Sequence, residues 1–349
     1  HPAYRYQINI YSAAEREAPY ASGRLSAVNQ NSALNMVNQV RYIAGLNADL
    51  PLLSAREEMM AATALVLRLN GRLSHFPGRP SALADSAYDA LYQLGYAGAG
   101  SANIAMGYTA TSAVLAYMAD SDAGNIATVG HRRWILNPGM GGTVFGASDR
   151  FSSMYAHDMS GSGKQTKVAW PAQEMPLQYF SANDPWSVSY GRVLDGGQVQ
   201  VDLVRVSDGK SWHFDSAGSD GYFNVENSYY GRTGCVIFRP NGLGALGAGD
   251  RFNVTITDGA GDEITRYSVH FFDLNLNRCE PLGNAAADAT WQGDGVHLSW
   301  NAVSGAEGYY VCRRDGDANY QIVADVKGTA WVDAAVTKGA GYTYQVYAH

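Results

Sequence analysis

Between Leu52 and Leu69 apolar residues recur at alternating spacings of three and four, through Ala55, Met59, Ala62 and Val66, the mark of one buried helical face. The pattern predicts a helix opened by a Ser54/Glu57 capping box and stopped by Gly71, so that Ser74 and His75 follow just past its end. The same period predicts an earlier helix through Leu34, Val37, Val40, Ile43 and Ala44, closed by Gly45. It also predicts a third over 82–94 ending at Gly95, and a fourth over 109–119 with Val114 and Met118 on one face. From residue 132 the texture changes, and Trp134-Ile135-Leu136, 143–145 and 151–157 read as short strands between Asn-Pro and Gly-rich turns.

Beyond the Gly-Ser-Gly-Lys stretch at 161–164, which reads as a linker, no helical period of useful length appears. Strand-like runs at 198–206, 221–227, 235–238, 251–258 and 263–272 are divided by Asp-Gly, Asn-Gly and Gly-Asp turns, the spacing of a β-sandwich. The PWSVSY run at 185–190 supplies aromatics that either face a ligand or, as the leading expectation, pack in its core. A second composition shift at 284–288 precedes strands at 296–300, 308–314, 320–326 and 342–348. The chain therefore divides into an arm (1–31), an α+β domain (32–164) and two β-sandwiches (165–283 and 284–349).

Composition sharpens this picture. Charged residues make up 16% against a usual ~25%, while Gly (39) and Tyr (23) are abundant, as in loop-rich β modules. The net charge of −7 comes with no basic run, so nothing attracts nucleic acid or an anionic membrane surface. No stretch approaches the ~20 apolar residues of a membrane span. Cys235, Cys279 and Cys312 match no zinc or CxxC spacing; Cys235 and Cys279 share one β-rich segment, where either a disulfide or buried thiols would fit.

His75 and His131 each sit where a helix stops and the chain turns, the kind of place where a scaffold presents chemistry. Their side chains are expected to converge. Asp120-Ser121-Asp122 begins like a calcium loop, but Gly124 and Asn125 break the pattern and the segment reads as a helix-ending turn. No HExxH, nucleophile elbow or phosphate loop occurs.

The motifs LNMVNQVRYIAGL (34–46), LSH (73–75), SANIAMGY (101–108) and VGHRRWILNP (129–138) stand in the order found in the CAP superfamily of cysteine-rich secretory, antigen-5 and pathogenesis-related proteins. Over about residues 33–160 the chain resembles that superfamily. The resemblance implies an α-β-α sandwich with an open cavity lined by two His and two acidic residues, sometimes holding a divalent metal, in a secreted or surface-displayed bacterial protein. Carried over by motif, His75 and His131 match the two histidines. Ala102 stands at the position of one acid, Asp120 at that of the other, Tyr117 at that of a Trp, and Asn103 lies nearby. Residues 165–283 resemble an immunoglobulin-like sandwich. Residues 286–349 resemble a fibronectin type III domain, with Leu298-Ser299-Trp300 on its early strand and YTYQVYA on its late one.

Two neutral imidazoles and one carboxylate admit three roles: cavity lining, a zinc or other divalent metal site, and catalysis through metal-bound water. Metal held this way would bind weakly and pH-dependently, because both rings must be neutral. Arg132 or Arg133 is expected to pair with Asp120 or Asp122. The leading function is binding of a small apolar ligand, peptide or glycan. A metal-dependent hydrolase using His75, His131 and Asp120 is one alternative, and adhesion through the sandwiches is another. A fibronectin-like domain needs a further strand after 342–348, so the natural chain is expected to continue past His349.

Overall fold

The computed structural model describes residues 11–12, 17–258, 263–274, 287–303, 306, 308–316 and 321–348. It forms two compact units, one reaching to Leu274 and one starting at Asn275. Several β-sheets and five α-helices appear among the described residues. None of these helices is long and apolar enough to cross a membrane.

The helices are α1 (Ala27–Ile43), α2 (Glu57–Asn70), α3 (Asp89–Ala99), α4 (Ala110–Ala119) and α5 (Gly130–Ile135). Helix α1 starts earlier than its apolar period, because Ser26 caps Asn29 N–H at 3.2 Å and the polar Gln30 is buried for a reason. Gln30 pairs with both backbone groups of Phe145, at 2.7 and 3.1 Å, closing an otherwise unsatisfied strand position. Ser54 does not cap α2: Ser54–Arg56 is a 3₁₀ turn, and the helix begins at Glu57, which meets Arg24 at 3.1 Å. Gly71 does stop it, in the left-handed region at φ 68°.

Gly95 does not end a helix. The 82–94 segment opens with two 3₁₀ turns, and α3 runs through Gly95 because a Cβ there would stand 2.7 Å from the Ala62 carbonyl oxygen of α2. Trp134-Ile135-Leu136 is likewise not a strand. Its first two residues complete the six-residue α5, too short to display a helical period.

Strands Ala102–Met106, Phe151–Tyr155 and Phe145–Ser148 form an antiparallel sheet in that order. Its side chains divide between two cores. Ala102, Ile104, Val144 and Phe151 pack with Met59, Met60 and Leu67 of α2, while Ala105, Phe145, Ala147 and Met154 join the core of α1 and α4.

That second core continues into the β-rich part, through Trp170, Trp186, Phe214, Phe238, Phe252 and Phe271. These rings fill the space between two sheets. One sheet runs Ser211–Phe214, Gln200–Arg205, Arg251–Thr257, Glu263–Phe272 and Glu174–Pro176; the other runs Gly221–Glu226, Cys235–Pro240, Trp186–Ser189 and Val168–Trp170. Trp186 and Tyr190 of the PWSVSY run are buried. Cys235 is a buried free thiol beside Ser189, and its anticipated neighbour Cys279 lies outside the described residues.

Residues 161–164 are not a free linker. Gly161 N–H donates to Gly139 O at 2.9 Å, and a Cβ at Gly163 would meet Pro138 O at 2.3 Å, so the stretch is seated on the 138–141 turn.

The unit beyond Asn275 pairs Ala287–Trp291, Val296–Trp300 and Ala330–Asp333 in one sheet, and Gln321–Val326, Tyr309–Asp315 and Tyr342–Ala348 in another. Leu298, Trp300, Tyr309, Val311 and Val346 make its core. The anticipated boundary at 283/284 lies outside the described residues.

Candidate functional site

Two chain reversals build the site. After Gly71 the chain turns to His75, whose Nδ1 lies 2.8 Å from Ala99 O at the end of α3. A carbonyl only accepts, so Nδ1 carries a proton and points away from any ligand, leaving Nε2 as the ring nitrogen without a protein partner among the described residues. At the other reversal, Asp120 ends α4 in the left-handed region, and Asp122 accepts from Gly124 N–H at 2.9 Å and Asn125 Nδ2 at 2.8 Å. Val129 then stands at φ 40°, uncommon for a β-branched residue, immediately before Gly130 and His131.

His131 is held from four sides. Its Nδ1–H donates to Asp120 Oδ1 at 2.8 Å, the Tyr117 ring stacks on it with centroids 5.1 Å apart, and Asn103 Nδ2 donates to its carbonyl at 3.1 Å. On the fourth side, the second Asp120 oxygen accepts the next backbone N–H, of Arg132, at 3.1 Å. Burial alone would disfavour the imidazolium, but the hydrogen bond and charge of Asp120, aided by Asp122, outweigh it and raise His131 above the ordinary histidine range.

His75, Asn103 and His131 line one cavity of about 550 Å³. Asp120 does not line it; it is 2% exposed and lies behind His131, orienting the ring. The zinc set anticipated from His75, His131 and Asp120 therefore does not fit, because both carboxylate oxygens already serve protein donors. Among the described residues no group of three or more His, Cys, Asp or Glu is arranged to hold a metal.

The arginines also differ from expectation. Among the described residues the Arg132 guanidinium pairs with no carboxylate side chain but donates to the carbonyls of Met118, Ala119 and Pro185 and to Ser187 Oγ, at 2.6 to 3.0 Å. Arg133 Nη2 donates to Ser228 O at 2.7 Å and to Arg232 O, and its guanidinium lies 5.0 Å from the Tyr230 ring centroid. These bonds bring the 228–232 loop of the β-rich part to the cavity.

Sequence reasoning missed much of the lining: Phe76, Trp134, His157, Tyr229 and Tyr230. Trp134 packs against His157 with centroids 4.1 Å apart and against Tyr229 at 5.8 Å. Burial, reinforced by the charge of His75, lowers His157 below the ordinary range. Tyr229-Tyr230 carried no motif, and only the neighbouring Gly231 marked a turn there. A second cleft of about 660 Å³, around Ser121, Asn183 and Arg239 to Ala245, holds no imidazole or carboxylate side chain.

No family model matches the chain, and no curated protein matches it. Among solved structures, a chain of a cytokine receptor complex is 14% identical, covering 46% of this chain and 76% of its own, with a TM-score of 0.17. A fragment of the ICAM-5 ectodomain spanning D1–D4 is 10% identical, covering 58% of this chain and 65% of its own, with a TM-score of 0.18. At such scores neither likeness carries an argument about function.

Proposed function

We propose that this chain is a CAP-like, secreted or surface-displayed protein that binds a small ligand, peptide or glycan in the cavity at His75 and His131. The observation that carries this reading is that both histidines line one cavity, each with Nδ1 committed to a protein acceptor and Nε2 left for a ligand. A volume of about 550 Å³ falls in the ordinary range of ligand sites, roughly 300–1,000 Å³. The CAP-like assignment is supported by helices covering both faces of the three-stranded sheet and by the family order of the motifs.

Binding is favoured over metal-dependent hydrolysis because Asp120 is engaged behind His131 and no carboxylate lines the cavity among the described residues. It is favoured over adhesion because Tyr229 and Tyr230, from the β-rich part, belong to this cavity. Screening the protein on glycan, peptide and lipid arrays, followed by calorimetry of each hit with His75→Ala and His131→Ala, tests the reading. Both variants are expected to weaken binding; a ligand bound equally well by both would overturn it.

A further inference from the structure

We infer that the cavity's ligand is an uncharged oligosaccharide, and that Tyr229, contributed by the β-rich part, supplies the face on which a sugar ring stacks. This rests on the cavity reading above and narrows it.

The charge of the lining comes first. Among the described residues that line the cavity there is no Lys, Arg, Asp or Glu, and its titratable groups are three imidazoles and two phenols. An ionic ligand entering such a site would lose hydration for little return, because a cation meets no carboxylate in the lining and the positive charge of His131 is already matched by Asp120 behind it. A wholly apolar ligand would bury the Nε2 atoms of His75 and His131 without partners. The lining thus selects a neutral molecule that carries many hydrogen-bonding groups.

The second observation is an exposed aromatic surface. Phe76 is 76% and Tyr229 56% exposed, though both line the cavity. Large rings left open beside polar groups such as Thr128 and Ser228 match a ligand with apolar C–H faces and hydroxyl edges, which is the chemistry of a sugar ring.

The third is that Tyr229 is held ready. Its ring meets Trp134 edge-to-face at 81°, and Trp134 is braced by His157. Arg133 anchors the loop at Ser228 and Arg232 on either side. Gly130 leaves the space Tyr230 fills, since a Cβ there would stand 2.8 Å from that ring. A loop fixed in advance loses little entropy when a ligand stacks on it.

Calorimetric titration of the full chain with chitotetraose, cellotetraose, maltotetraose and the charged tetragalacturonate tests the inference. At least one uncharged tetrasaccharide is expected to bind. Tyr229→Ala should then weaken binding roughly tenfold, and Tyr229→Phe, which keeps the ring, should stay within about twofold of wild type. The proposal is overturned by failure of all three neutral sugars to bind, or by a neutral sugar whose affinity falls in His75→Ala but not in Tyr229→Ala. The latter would leave the cavity reading intact. Conversely, a bound sugar insensitive to both His75→Ala and Tyr229→Ala would reject both readings.

Discussion

Asp120 decides what His131 can do. Its carboxylate faces the ring rather than the cavity, so it sets the tautomer and raises the proton affinity of His131 against the effect of burial. A histidine raised in the folded state stabilises the fold fully below its unfolded value of about 6.5, and that contribution is lost as pH rises through the raised value. His157, lowered by burial and by His75, has the opposite sign: its contribution is complete above about 6.5 and is lost as pH falls through the lowered value. In Asp120→Asn the hydrogen bond and charge that outweigh burial are lost and only the charge of Asp122 still favours the imidazolium, so NMR titration is expected to place His131 above the ordinary range in wild type and distinctly lower in the variant. An unchanged His131 titration would contradict the account. At this scale His75 was legible because a helix stop precedes it, whereas His131, expected where a helix stops, lies in the first turn of α5. His157 and Tyr229 were not legible, since they reach the cavity only through tertiary packing.

Helices α2 and α3 meet through glycine. At Gly98 a Cβ would lie 2.0 Å from Thr63 Oγ1 and 3.0 Å from the Met59 carbonyl oxygen. Helix propensity alone would make Gly98→Ala stabilising by about 1 kcal/mol, but overpacking against backbone costs about 1–3 kcal/mol and Thr63 Oγ1 already bonds Met59 O at 2.8 Å. Gly98→Ala is therefore expected to lower stability by about 1 kcal/mol in urea denaturation; a variant more stable than wild type would refute the close contact. The period that predicted α1 and α4 works because each buries one face over several turns, whereas α2 is buried all round from Met59 to Leu67 and its three-and-four spacing marks only part of what it covers. The period failed at α5, which has six residues, and at Gly95, where glycine marks an interhelix contact and not a stop.

Across the whole molecule, Arg132 joins the helical part to the sandwich by donating to Met118 and Ala119 on one side and to Pro185 and Ser187 on the other. A shared core and this buried guanidinium explain why residues up to Leu274 form one compact unit, although the composition change at 161–164 reads as a boundary. There the glycines permit close packing on the 138–141 turn, a use that composition does not distinguish from a linker. Scanning calorimetry is expected to show two transitions, one for each unit. Arg132→Met should lower only the larger, by about 3 kcal/mol, since several buried carbonyls lose a charged donor. Separate melting of residues 17–164 and 165–274 in the wild type would contradict a common core.

The central claim is that His75 and His131 face one ligand. Long-range ¹H–¹⁵N spectra of the histidine side chains, recorded while titrating the best array hit, test it most directly. The Nε2 resonances of both residues are expected to move along a single binding isotherm. A ligand that binds while both resonances stay fixed would show that it binds elsewhere and that the cavity is not the site.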